Sequence, residues 1–115
     1  MNFQGSVVAI VTPFSDGRID KDSFKNLVEF NISNKTTAIV VAGTTGESPT
    51  LSHLEHNELV DDAIRFIDGR IPLIAGAGSN STAEAIDLSK AAKESGAAAT
   101  LVVNPYYNRP TQEGL

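Results

Sequence analysis

A parallel α/β fold is predicted for these 115 residues by three features. Short apolar runs rich in Val, Ile and Ala recur with their starts about 30 residues apart, the length of one strand–helix–strand unit. The stretches between them carry apolar residues at helical spacing, and two of them open on Ser-x-x-Glu capping signals. The apolar runs alternate little, as strands covered on both faces do.

Taken in order, the first strand is predicted at about Ser6 to Val11. A helix follows from about Lys21 to Asn34, with Phe24, Leu27, Val28 and Ile32 on one face. The second strand runs from Ala38 to Ala42. The second helix opens on Ser52-His53-Leu54-Glu55 and buries Leu59, Val60, Ala63, Ile64 and Ile67. The third strand runs from Ile71 to Ala75. The third helix opens on Ser81-Thr82-Ala83-Glu84, carries Ala85, Leu88, Ala91 and Ala92, and stops at Gly96, a residue suited to a left-handed helix end. The fourth strand runs from Ala97 to Val103, and a fourth helix is expected to begin at Thr111. Four strands and three helices fit either half of a (β/α)8 barrel or most of a small open sheet. A helix starting in the last five residues favours the first reading, since a complete barrel needs about 250 residues. Residues 1–115 are therefore expected to form the N-terminal half of one barrel domain.

Composition narrows the function classes. The hydrophobic share is 41% and the charged share 20%, ordinary for a soluble globular chain. A net charge of −5 argues against nucleic acid and against an anionic membrane surface. There is no membrane-spanning stretch and no targeting pattern at the N-terminus, so a cytoplasmic location is expected. The absence of cysteine excludes disulfides, thiolate metal sites and cysteine nucleophiles.

The chemistry-bearing motifs fall at strand ends, where parallel α/β proteins bind ligands. Gly43-Thr44-Thr45-Gly46-Glu47 follows directly on the second strand. Its glycines permit a sharp turn and close backbone approach, and its hydroxyls and N–H groups can hold a carboxylate. A turn that merely needs small polar residues is the alternative. The fourth strand leads into Asn104-Pro105-Tyr106-Tyr107-Asn108-Arg109-Pro110, which holds the chain's only two tyrosines. Such a pair reads either as a packed loop or as a phenol that relays a proton at the mouth Thr44 faces. Gly76-Ala77-Gly78 lies where a dinucleotide fingerprint has glycines, but Ser81 replaces the third and no acidic residue ends the next strand. His53 and His56 share one side of the second helix. A metal pair, a solvated helix end and a small-molecule contact all fit them, and no third metal donor is evident. Asn80 and Glu84 flank the third helix start, where capping is their plain role.

Three of these segments carry a family resemblance: Gly43-Thr44-Thr45-Gly46-Glu47-Ser48, the run from Gly69 to Gly76 (Gly-Arg-Ile-Pro-Leu-Ile-Ala-Gly), and the run from Asn104 to Pro110. Together they closely resemble the dihydrodipicolinate synthase family, within the superfamily that includes N-acetylneuraminate lyase. The resemblance extends from Gly5 through Leu115.

It implies a (β/α)8 barrel that condenses pyruvate with aspartate semialdehyde on the route to diaminopimelate and lysine, with no cofactor and no metal. A barrel lysine forms a Schiff base with pyruvate and converts its methyl group into an enamine nucleophile. That lysine belongs to a later strand of the family pattern, and none of Lys21, Lys25, Lys35, Lys90 and Lys93 ends a strand. Residue by residue, Thr44 matches a relay hydroxyl, and Thr45 matches the residue whose N–H helps hold the pyruvate carboxylate. Tyr107 matches a relay tyrosine that reaches into the neighbouring subunit of a tight dimer, within a dimer of dimers. The family's lysine feedback site matches Ser48, His53, His56, Asn80, Glu84 and Tyr106, with Pro49 where related sequences often carry Ala. The rival readings are a non-catalytic half-barrel interaction module and another pyruvate-dependent aldolase, of the 2-keto-3-deoxy sugar acid or neuraminate type.

Overall fold

Four parallel strands form one sheet whose order follows the chain: β1 (Val7–Ala9), β4 (Ala38–Val41), β5 (Leu73–Gly76) and β6 (Ala99–Leu101). This computed structural model describes residues 3–115. Between the strands lie α1 (Lys21–Ser33), α2 (His53–Ile67) and α3 (Thr82–Ser95). Strictly sequential order leaves no point at which the winding reverses, so the sheet lacks the switch-point crevice of an open doubly wound fold. It has the order of a barrel wall.

The core sits between β4, β5 and the helices. All four residues of β4 are buried, and Phe24, Val28, Leu59, Ala63, Ile67 and Leu73 are each no more than 2% exposed. Burying a side chain of this size contributes about 1.5–3 kcal/mol before entropy is counted. The capping box of α2 forms as expected: Ser52 accepts from Glu55 N–H and Glu55 accepts from Ser52 N–H at 2.8 Å. Gly96 ends α3 at φ +97°. Arg70, in the second resemblance segment, donates to the Ile67 and Phe66 carbonyls at 2.9 and 2.6 Å. Its guanidinium also forks onto Glu29 at 2.8 and 2.5 Å, tying the end of α2 to α1.

Several expectations are corrected. The first and fourth strands are shorter than Ser6–Val11 and Ala97–Val103, and neither is covered on both faces. Val7, Ala9 and Leu101 are exposed, because β1 and β6 are the sheet's edges and each has a partner on one side only. An antiparallel hairpin, β2 (Phe14–Ser15) and β3 (Arg18–Ile19), was not anticipated. Its two-residue turn is Asp16-Gly17, both at positive φ (51° and 73°), the geometry that suits a tight hairpin. The segment from Thr111 makes a single 3-10 turn, Gln112–Gly114. The second capping box forms only in half: Ser81 accepts from Glu84 N–H, and the Glu84 side chain does not return to Ser81 N–H.

Candidate functional site

The C-terminal ends of β4, β5 and β6 build one side of a cavity of about 530 Å³. At the end of β4 the chain bends through Ala42 at φ +54° into the turn Gly43–Glu47. Glu47 N–H donates to Thr44 O at 3.1 Å, and Ser48 N–H donates to Gly43 O at 3.3 Å. The turn is pinned from outside by Thr12, a residue the sequence reading passed over. Its buried hydroxyl donates to Gly46 O at 2.7 Å, across 34 positions of chain. Its place directly after the apolar run Val7–Val11 was the available signal.

Gly76 and Gly78 have a structural reason. A Cβ on Gly76 would lie 2.0 Å from Ala42 O, and one on Gly78 would lie 2.3 Å from Val103 N. These glycines let the strand ends converge. The dinucleotide-fingerprint reading therefore gives way to close backbone approach.

The cavity wall brings together Thr44, Ser48, His53, His56, Glu84 and Tyr106. Thr45, Asn80 and Tyr107 are exposed and lie outside that wall. Pro49 is accommodated: it enters the 3-10 turn Ser48–Thr50 at a first-turn position, where its fixed φ fits and its missing N–H costs nothing. Tyr107 is 97% exposed at φ +68°, and Asn108 N–H donates to Tyr106 O at 2.9 Å across it. A three-residue turn with positive φ at a bulky residue is strained by about 1–3 kcal/mol.

His56 is not the solvated helix-end residue that one reading of the sequence offered. It is 3% exposed, and its Nε2 lies 2.7 Å from Gly76 O. A carbonyl only accepts, so Nε2 carries the hydrogen. Burial pushes the imidazole's pKa down, against the opposing effect of that hydrogen bond. The neutral ring leaves Nδ1 as a buried acceptor with no partner among the described residues. His53 is exposed, with Nε2 2.6 Å from Glu84 Oε1. Ser79 Oγ donates to Glu84 Oε2 at 2.6 Å. These two contacts, that of Ser79 foremost, hold the Glu84 carboxyl below the usual range. The wall thus offers the Glu84 carboxylate, a group suited to a ligand ammonium, among the hydroxyls of Thr44, Ser48 and Tyr106. Among the described residues no three His, Asp or Glu side chains converge as a metal site, and no helix is long and apolar enough to cross a membrane.

A sequentially ordered parallel sheet with its cavity at the strands' C-terminal ends defines the N-terminal half of a (β/α)8 barrel, with the mouth where such barrels place their chemistry. A model of the Dihydrodipicolinate synthetase family matches residues 2–115, and the chain belongs to that family. It is 59% identical over 113 residues to 4-hydroxy-tetrahydrodipicolinate synthase of Geobacter sulfurreducens, covering 98% of this chain and 39% of that protein. A chloride-inhibited dihydrodipicolinate synthase from Acinetobacter baumannii, complexed with pyruvate, is 56% identical with a TM-score of 0.96, covering 98% of this chain and 39% of the other. The dihydrodipicolinate synthase of Aquifex aeolicus is 54% identical with a TM-score of 0.95, covering 97% and 38% respectively. The chain thus spans 39% of the length of the Geobacter relative.

Proposed function

We propose that the barrel to which this chain contributes its N-terminal half is a lyase that condenses pyruvate with L-aspartate 4-semialdehyde. The product is 4-hydroxy-tetrahydrodipicolinate, a precursor of diaminopimelate and lysine made in the cytoplasm. The observation that carries the reading is Thr44: a hydroxyl on the cavity wall, in a glycine-flanked turn at the end of β4. Two of the relatives support it, one through its name and one through its bound pyruvate.

In this reading the pyruvate ketone condenses with a lysine amine and loses water, and the methyl carbon then loses a proton to give an enamine. The enamine carbon attacks the aldehyde carbon of the second substrate, whose amino group then adds to the imine carbon, expels the lysine amine and closes the ring. Each step moves protons in a pocket shielded from water, and a chain of hydroxyls passes them without stable charge. Thr44 is one relay member, and the Thr45 N–H holds the pyruvate carboxylate. Tyr107 is another relay member, serving the neighbouring subunit of a tight dimer, itself half of a dimer of dimers. Its nearly complete exposure fits a side chain that finds its surroundings in a partner. The nucleophilic lysine lies outside these 115 residues, since Lys21, Lys25, Lys35, Lys90 and Lys93 are all exposed and off the strands. The wall of Ser48, His53, His56, Glu84 and Tyr106, together with the exposed Asn80 before α3, binds L-lysine as a feedback inhibitor.

The acceptor assay tests the reading. The complete barrel, given pyruvate and L-aspartate 4-semialdehyde, is expected to consume both, and to leave 2-keto-3-deoxy sugar acids and N-acetylneuraminate uncleaved. Cleavage of a sugar acid without loss of semialdehyde would assign it to another aldolase. Loss of neither would favour a non-catalytic module.

A further inference from the structure

The motifs Ser52-x-x-Glu55 and Ser81-x-x-Glu84 are the same in sequence and differ in structure. At α2 the glutamate returns to its own N-cap: Ser52 N–H donates to Glu55 Oε2 at 2.8 Å. At α3 it does not. Ser81 accepts from Glu84 N–H at a long 3.5 Å, while Ser81 N–H donates to Ser79 Oγ at 3.0 Å. Ser79 is 6% exposed, and its own hydrogen goes to Glu84 Oε2 at 2.6 Å. Its hydroxyl therefore satisfies the N-cap donor that Glu84 would have taken, and holds the carboxylate it has displaced. The second carboxylate oxygen faces His53 Nε2 at 2.6 Å. The residue equivalent to Ser79 before α2 is Thr50, whose hydroxyl is engaged elsewhere, on Glu47 O at 2.9 Å. The protein contains its own control.

We propose that Ser79 is a positioning residue that keeps the Glu84 carboxylate out of its helix cap and in the cavity, where it is available to an ammonium-bearing ligand. The ligand part rests on the effector reading given above, whereas the positioning part does not. Removing the Ser79 hydroxyl frees Ser81 N–H, and the ordinary capping box of α2 shows where Glu84 then goes.

The test uses the complete barrel and L-lysine as probe. In a crystal structure of Ser79→Ala, Glu84 is expected within about 3 Å of Ser81 N, the normal N–H···O distance, with its contact to His53 lost. The lysine concentration that halves each variant's own rate is expected to rise by about fivefold or more, the scale of one misplaced hydrogen-bonding partner. Ser79→Thr, which keeps the hydroxyl, restores both. A Glu84 that stays on His53 in Ser79→Ala, or unchanged lysine inhibition in a variant whose Glu84 has moved, overturns the proposal. A wild-type barrel indifferent to lysine removes the effector reading, and the position of Glu84 in the variant then decides the positioning claim by itself.

Discussion

Thr44→Val in the complete barrel is expected to lower kcat by roughly one to three orders of magnitude, the range for losing a proton-transfer group. Valine keeps the shape of threonine and removes its hydroxyl, so the cavity wall at Thr44 persists while the relay is cut. KM for pyruvate should change much less, because the proposed hold on the carboxylate is the Thr45 N–H, in the turn that Thr12 pins through Gly46. Tyr107→Phe is expected to fall in the same range. Mixing the two variants separates the possible placements of Tyr107. If it serves the neighbour, a mixed dimer has one site with both defects and one with neither, so activity returns in part on subunit exchange. Exchange proven by mass without recovery would place Tyr107 in its own subunit's site or outside the relay. A Thr44→Val enzyme with kcat within twofold of wild type would remove Thr44 from the chemistry.

Glu84→Gln is expected to raise the inhibitory lysine concentration at least about tenfold. The reason is electrostatic. A ligand ammonium that loses its carboxylate partner stays desolvated and unpaired, at a cost of about 2–5 kcal/mol, and about 1.4 kcal/mol corresponds to tenfold in affinity. Glutamine keeps the length and can still meet Ser79 and His53, so a loss of inhibition reports charge and not collapse of the wall. Inhibition curves for wild type and variant, each normalised to its own uninhibited rate, make the measurement. Equal inhibition of the two would take Glu84 out of the effector site. Indifference of the wild type to millimolar lysine would take the site away altogether.

The elements with local signals were legible in the sequence. The α2 cap, the Gly96 stop and the buried run Ala38–Val41 are written in adjacent residues, and each stands where expected within a residue or two. What escaped notice depends on partners far along the chain. His56 looked like a polar first-turn residue because its hydrogen-bond acceptor, Gly76 O, is 20 positions away. Asp62 is buried on the helix that seemed to need only apolar residues, because Lys21 of α1 reaches it at 2.9 Å and Arg65 at 2.5 Å. Asn31 is likewise buried, bonding Leu27 O at 2.9 Å and receiving the Thr36 hydroxyl at 3.2 Å. Glu84 misled for another reason: Ser-x-x-Glu is a local rule, and Ser79, two residues upstream of the cap, overrides it. The Asp16-Gly17 hairpin had its signal in plain view and was missed because only long apolar runs were read as strands.

The site residues divide along the same line. Thr44 and Tyr106 sit at strand ends and follow from topology. The resemblance grouped His53, His56 and Glu84, whereas the direct contact of His53 with Glu84 and the turning of His56 onto Gly76 O are features of the packing of α2 against its neighbours.

In the proposed reaction this half-barrel supplies binding and proton-relay groups to a Schiff base formed on a lysine it does not contain. Borohydride reduction of the complete barrel with pyruvate, followed by peptide mass spectrometry, locates that lysine. The expected result is a pyruvate-derived adduct on one lysine outside these 115 residues, with Lys21, Lys25, Lys35, Lys90 and Lys93 unmodified. Those five are exposed, without the burial that makes an amine nucleophilic. An adduct on any of the five, or no adduct anywhere, would contradict it.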